Sequence, residues 1–286
     1  KKKKNFINIM KPDTLFLSGG GVNCIAFLGS FKYLLENNTI SPGFKSVKNI
    51  VCVSGSSLYI IPLLLGYSLD ATIKISIEVD NKLILGDRAF DLNNIFDNFG
   101  LYDNNFFDRL ISVILKQKNI PRMVTLEEFY KHTNINLVFK TTNITKYKIE
   151  YMNHISHPEL PLIYAVKMTT CIPLLFKPIK YNNCLYVDGG LCGNFPIEYN
   201  KKIKSNNYIG IHIKAKEETE EITDILSYLT RLQMVPWSPY DDCTKNGKNT
   251  ILIIVEGPGT KFDKTKDQNM KLLNQGYKMT EKFYAQ

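Results

Sequence analysis

Three clusters in this sequence combine small residues with groups able to do nucleophilic or acid–base chemistry. The first is Ser18-Gly19-Gly20-Gly21, directly after the apolar run Thr14–Leu17. Consecutive glycines let a backbone approach a ligand closely. Their N–H groups, converging at the start of a helix, suit a phosphate or a developing oxyanion. The dinucleotide pattern G-x-G-x-x-G is not met. Its third glycine would fall at Cys24, and the acidic residue expected about 20 positions on is missing.

The second cluster is Ser54-Gly55-Ser56-Ser57, which follows the β-type run Asn49–Val53. A serine hydroxyl near neutral pH needs a base and a place for negative charge before it can attack an ester. A strand, sharp turn and helix lift one serine to the sheet edge, with small residues two positions before and after it. Ser54, Ser56 and Ser57 are all candidates. Only Ser57 has glycine two positions before it, Gly55, and it stands where the next helix begins. Ser57 is therefore the expected nucleophile. Tyr59 takes the place of the second glycine of G-x-S-x-G. Pro62 crowds the Leu58 carbonyl, which predicts a kinked or late-starting helix.

The third cluster is Asp188-Gly189-Gly190, after the short strand Leu185–Val187. By itself Asp-Gly-Gly reads as a hairpin turn. Beside a glycine cradle and an elbow serine, Asp188 becomes a candidate general base. His212 would complete a Ser-Asp-His chain order like that of the α/β-hydrolases. It lies inside the alternating run Ile209–Ile213, however, and reads as a strand residue. His154 and His157 read as surface loop, and His132 falls within a helix. A two-residue machine of Ser57 and Asp188 is expected, with a Ser-His-Asp esterase using His212 as the alternative.

The elements needed to position these groups alternate along the chain. Val22–Leu35 and Ser57–Gly66 have helical apolar spacing. Residues 70–135 read as mainly helical, with Thr125 and Glu128 forming a capping box for Leu126–His132. Strands are expected at Asn136–Thr141, Lys148–Tyr151, Tyr208–Ile213 and Ile251–Val255. Helices are expected at Leu160–Thr170, around Ile222–Leu232 behind the acidic start Glu217–Glu221, and at Asn269–Tyr284. This order predicts an α/β fold, a three-layer sandwich whose central, mostly parallel sheet carries helices on both faces. The division predicted is a basic arm, residues 1–12, and one domain, 13–286, with a helical insertion near 70–135.

Composition narrows the classes. The chain has 286 residues, 44% apolar and 22% charged, which excludes fibrous and disordered readings. The uncharged stretch Ile50–Leu69 contains serines, Gly55 and Pro62, so it reads as strand, turn and helix rather than a membrane span. A net charge of +9, part of it in Lys1–Lys4, favours anionic partners such as phospholipid head groups or nucleic acid, without choosing between them. No stripe of arginines and aromatics points to nucleic acid. Trp237 reads as a loop or buried residue rather than a membrane anchor. Six cysteines without a CxxC pair, and four histidines without zinc-ligand spacing, give neither a disulfide framework nor a metal site. No signal peptide is recognised, so a cytoplasmic or peripherally membrane-associated protein is expected.

The three blocks, in this order and spacing, resemble the patatin-like phospholipase family. Asn194 and Pro196 after the Asp-Gly-Gly block, Thr170–Pro173, Phe176–Pro178 and Gly276-Tyr277 add to the likeness, which runs from Thr14 to Phe283. The resemblance implies a Ser–Asp dyad, no metal or other cofactor, and hydrolysis of acyl esters of phospholipids or related lipids. It implies an oxyanion hole at Gly19, Gly20, Gly21 and Val22, with Gly55, Gly189 and Gly190 supporting the turns. Asn23 and Cys24 depart from the family's Arg or Lys and Gly in the first block. With Tyr59 they keep a catalytically impaired lipid-binding protein as the alternative.

Overall fold

The computed structural model describes residues 11–79, 81–84, 93–216, 222, 228, 231–232 and 249–285. Lys1–Lys4, Glu217–Glu221, most of the helix expected around Ile222–Leu232, Trp237 and Cys243 lie outside the described residues.

The first strand, β1 (Thr14–Leu17), leads through a 3-10 turn (Gly21–Ile25) into α1 (Ala26–Glu36). β2 (Asn49–Val53) leads into α2 (Ser56–Leu64), which keeps Pro62 within it. The helix thus starts early, and Pro62 leaves the Leu58 carbonyl without its usual N–H partner. The predominantly helical stretch follows: α3 (Leu69–Glu78), α4 (Asn93–Asn98), a short β3 (Gly100–Tyr102), α5 (Asn105–Gln117) and α6 (Leu126–Thr133). The capping box expected at Thr125 and Glu128 opens α6, with both reciprocal bonds formed.

β4 (Asn136–Asn143) and β5 (Lys148–Met152) form a hairpin, and α7 (Leu162–Thr169) follows. Next come β6 (Leu174–Phe176), β7 (Ile179–Tyr181), β8 (Cys184–Asp188), α8 (Asn200–Ile203), β9 (Tyr208–Ala215), β10 (Thr250–Val255) and the closing helix α9 (Lys266–Tyr284). The main sheet has the order β10-β9-β1-β2-β4-β8-β7, with β5 also on β4. β10, β9, β1, β2 and β4 are mutually parallel, while β5, β8 and β7 add antiparallel pairings. The small parallel pair β3–β6, invisible as periodicity in such short segments, ties the helical stretch to the segment after α7.

Alternation along the strands splits the core in two. Leu15, Leu17, Ile50, Cys52, Phe139 and Ile211 point to the face covered by α1, α2, α7 and α9. Phe16, Val51 and Val138 point to the opposite face, where Phe195 and Tyr199 cover them. Gly29 and Gly276 let α1 and α9 approach closely. A methyl group on Gly29 would stand 1.8 Å from the Leu273 carbonyl oxygen, and one on Gly276 would stand 1.9 Å from that of Ala26.

Candidate active site

In a parallel sheet, ligands meet the loops beyond the carboxyl ends of the strands. β1 and β2 pair with Leu17 opposite Cys52, so the glycine block and the Ser54 turn leave the sheet side by side. Val53 lies opposite Lys140 on β4, and Thr141 lies opposite Asp188 on β8. The residue after Val53 therefore falls level with Thr141 and Asp188. That residue is Ser54. Its Oγ donates to Asp188 Oδ2 at 2.5 Å, a length in the range of bonds from hydroxyls to carboxylates.

Ser54 is the turn residue itself. Its φ of 54° lies in the left-handed region, which costs a residue with a side chain about 1–2 kcal/mol and is typical of a nucleophile elbow. Its backbone N–H donates to Thr169 Oγ1 at 2.9 Å, and Thr169 in turn donates to the Lys140 carbonyl at 2.7 Å. Gly55 is required just after it, because a Cβ there would stand 2.5 Å from the Gly21 carbonyl oxygen.

Ser57, the serine expected from the Gly55 spacing, does not meet Asp188. It sits in the first turn of α2, fully buried, and its Oγ donates to the Ser54 carbonyl at 2.7 Å. Ser56 is also turned inward, bonded to the Val53 carbonyl and N–H. The physical reason is phase. The strand ends at Val53, so the sharp bend falls at position 54, and position 57 is already one helical turn on. The signal for Ser54 was present in the sequence. The small residues Cys52 and Ser56 flank it at the two positions where G-x-S-x-G has glycine.

Asp188 ends β8 and is 4% exposed. Its Oδ1 accepts the Gly190 N–H at 2.6 Å, and its own carbonyl accepts from Thr142 Oγ1 at 3.1 Å. Burial pushes its carboxyl up from the ordinary value to about 7. The Ser54 hydroxyl, the Gly190 N–H and the charge of Lys140 pull it the other way. A carboxylate poised near neutral pH suits a general base. Asp-Gly-Gly is thus a strand end followed by a 3-10 turn (Gly189–Cys192), not a hairpin.

The glycine block divides its work. The Gly19 N–H donates to the Asn194 carbonyl and the Val22 N–H to the Gly259 carbonyl. Those two donors, both expected in an oxyanion hole, are already engaged. Among the described residues no acceptor is found for the N–H groups of Gly20 and Gly21. Gly21 has φ 53°, and a Cβ on it would stand 2.1 Å from the Gly259 carbonyl oxygen. Gly19 packs on the Ser54 turn, its Cβ position being 3.3 Å from Ser54 Cβ.

The departures at Asn23, Cys24 and Tyr59 have defined places. Asn23 Nδ2 donates to the Gly257 carbonyl, tying the block to the segment after β10. Cys24 is buried, with its Sγ 3.3 Å from the Cβ positions of both Gly20 and Gly55. Burial pushes its thiol well up, with a further rise from the charge of Asp188, so it stays neutral. Tyr59 lines a cavity of about 1120 Å³, counting its open mouth, that begins at Gly21, Val22, Ser54 and Gly55. The cavity runs between α2, α3 and α5 past Leu58, Pro62, Ile75, Phe106, Phe107 and Ile114, and is overwhelmingly apolar.

No histidine joins this arrangement. Ile213 packs against Gly20, so its neighbour His212 points to the opposite face of the sheet. There it stacks on Phe195 with ring centres 4.7 Å apart, and burial lowers its pKa to about 4. His154 stacks on Tyr130, and His157 lies beside Glu150.

An apolar slot thus opens beside a serine–carboxylate pair and two backbone N–H groups without an acceptor among the described residues. The chain matches the patatin-like phospholipase family over residues 15–200. It is 27% identical over 199 residues to "Probable lipid hydrolase 463L" of invertebrate iridescent virus 6, a match covering 68% of this chain and 67% of that protein. It is 30% identical over 183 residues to an uncharacterized protein of Acanthamoeba polyphaga mimivirus, covering 64% of this chain and 59% of the relative. The chain thus spans under two thirds of that relative. The fold is that of VipD from Legionella pneumophila, with a TM-score of 0.68 at 17% identity over 96% of this chain and 67% of the VipD chain. The chain belongs to the patatin-like phospholipase family.

Proposed function

We propose that the protein hydrolyses fatty-acyl esters of phospholipids with Ser54 as nucleophile and Asp188 as the single general base. The observation that carries this reading is the Ser54 Oγ to Asp188 Oδ2 hydrogen bond at the mouth of the apolar cavity. Ser54 Oγ attacks the ester carbonyl and passes its proton to Asp188. The carbonyl oxygen takes up negative charge facing the N–H groups of Gly20 and Gly21. Collapse breaks the C–O bond, and Asp188 returns the proton to the leaving lysolipid oxygen. Water, deprotonated by Asp188, then attacks the acyl–Ser54 ester; the C–Oγ bond breaks, Asp188 returns the proton to Ser54 Oγ, and the fatty acid leaves.

The acyl chain lies along the cavity between α2, α3 and α5, where Tyr59 forms part of the wall near the reacting centre. Ile75 and Val113 line that cavity while 49% and 53% exposed, so its wall reaches the surface. With the net charge of +9, this favours a peripheral encounter with an anionic bilayer. Among the described residues no helix is long and apolar enough to cross a membrane.

The test is a lipid digest followed by mass spectrometry of products. Wild-type protein releases free fatty acid and lysophospholipid from mixed phospholipid vesicles, faster as the anionic fraction rises. Ser54→Ala releases none while keeping its melting temperature. Fatty-acid release by Ser54→Ala at the wild-type rate refutes the reading. A wild-type protein that binds vesicles without turnover supports the impaired-protein alternative, which Asn23, Cys24 and Tyr59 motivate.

A further inference from the structure

A buried lysine beneath the site has no part in the scheme above. Lys140 lies in the middle of β4, and its side chain is 1% exposed. Its alternation places it on the Val138 face, opposite the cavity. Burying an ammonium is costly unless it is paired and fully hydrogen-bonded. Here Nζ donates to the carbonyls of Cys192 at 2.8 Å and Gly193 at 2.7 Å, and to Glu198 Oε1 at 2.8 Å. All three acceptors belong to the segment just after Asp188. The Tyr151 hydroxyl completes the group by donating to Glu198.

The same residue reaches the nucleophile through its backbone. The Lys140 carbonyl accepts from Thr169 Oγ1. A hydroxyl has one hydrogen to give, so that bond directs its lone pairs at the Ser54 N–H. Gly189 packs directly on Lys140, since a Cβ there would stand 2.2 Å from the Lys140 carbonyl oxygen. Side chain and main chain of one residue therefore hold the turn after the base and the turn of the nucleophile.

We infer that Lys140 is a positioning residue for the reaction: it clamps the segment 189–198 with its ammonium and the Ser54 turn through Thr169, setting the separation and the basicity of the Ser54–Asp188 pair. This inference rests on the Ser54–Asp188 reading. Among the described residues, the titratable groups coupled to Asp188 are Lys140 from β4, Cys24 from the turn before α1, and Cys171 after α7. Both thiols are pushed up by burial and stay neutral. Lys140 is the one cation among these groups, and its charge adds to the Ser54 and Gly190 hydrogen bonds in lowering the Asp188 carboxyl, while Glu198 is the counter-charge on that ammonium.

The experiment measures kcat and KM for a soluble p-nitrophenyl ester across pH in the full chain, with melting temperatures alongside. Lys140→Met should lower kcat by about tenfold or more, as expected for a slightly misplaced reacting pair. KM should stay within about twofold, and the acid limb of kcat should move to higher pH because the neighbouring positive charge is gone. Lys140→Arg should bring the limb back. Glu198→Gln, which keeps the lysine and removes its counter-charge, should move the limb to lower pH. A folded Lys140→Met with the wild-type limb overturns the inference. If that variant does not fold, an unmoved limb in Glu198→Gln overturns it. Ser54→Ala run in parallel separates the claims. Activity there removes the dyad reading itself, whereas its loss together with unmoved limbs removes only the role of Lys140.

Discussion

Replacing Asp188 by Asn should change the pH dependence of folding in a defined direction. The carboxyl has an ordinary value of 3.8 and is pushed up to about 7 by burial in the folded protein. Between those two values the native state holds a proton that the unfolded chain releases. Stability is therefore greatest below the unfolded value and is lost as pH rises through the folded one, by about 1.4 kcal/mol per pH unit. The whole loss is on the order of 4 kcal/mol between about pH 4 and pH 7, a large part of the roughly 5–15 kcal/mol that holds a domain together. Asn cannot ionise, but it keeps the shape and an oxygen for the Gly190 N–H. Urea unfolding of both proteins at intervals from pH 4.5 to 8 gives the test. The two should be similar at the acid end, and Asp188→Asn should become progressively more stable than wild type, with the gap levelling above pH 7. A constant gap would refute the reasoning, because it would mean that Asp188 does not hold its proton into the neutral range.

Three further outcomes follow from the same geometry. The acid limb of kcat/KM in the wild-type protein should lie near pH 7, with the rate falling about tenfold per unit below it as Asp188 takes up its proton; a limb near pH 4 in a stopped-flow ester assay contradicts this. Thr169→Val removes the acceptor of the buried Ser54 N–H, which should cost about 1–3 kcal/mol in urea unfolding and lower kcat with KM little changed. Gly21→Ala puts a methyl group 2.1 Å from the Gly259 carbonyl oxygen at a backbone φ of 53°. It should displace one of the two N–H groups proposed to hold the oxyanion and lower kcat by about 10²–10³, measured with the same ester.

Much of this arrangement was legible in the sequence because it is local. The strands at Thr14–Leu17 and Asn49–Val53 begin and end where the apolar runs do. The Thr125–Glu128 box caps α6 because its two bonds span only three residues. Asp188 could be picked out because an acid at the end of an apolar strand occurs in the same sequence as a glycine cradle and a serine turn, whereas Asp-Gly-Gly by itself reads as a hairpin. Ser57 was singled out because a single glycine, Gly55, outweighed the point where the strand stops. What separates Ser54 from Ser57 is the pairing of Val53 with Lys140 and of Thr141 with Asp188, contacts between distant parts of the chain that no spacing rule contains. Lys140 escaped for a related reason. A lysine within Leu137–Phe139 and Thr141 reads as the polar face of a strand, and only the fold shows that residues 192–198 return to surround it. The engagement of Gly19 and Val22 likewise depends on Asn194 and Gly259, far along the chain.

On the proposed mechanism the serine at the strand end, not the one a helical turn later, carries the acyl group. Reaction with a fluorophosphonate followed by proteolysis and fragment-ion sequencing reads the modified residue directly. The adduct should sit on Ser54, be absent from Ser54→Ala and persist in Ser57→Ala, where only the 2.7 Å bond to the Ser54 carbonyl has been removed. An adduct on Ser57, or one that survives Ser54→Ala, would contradict the account.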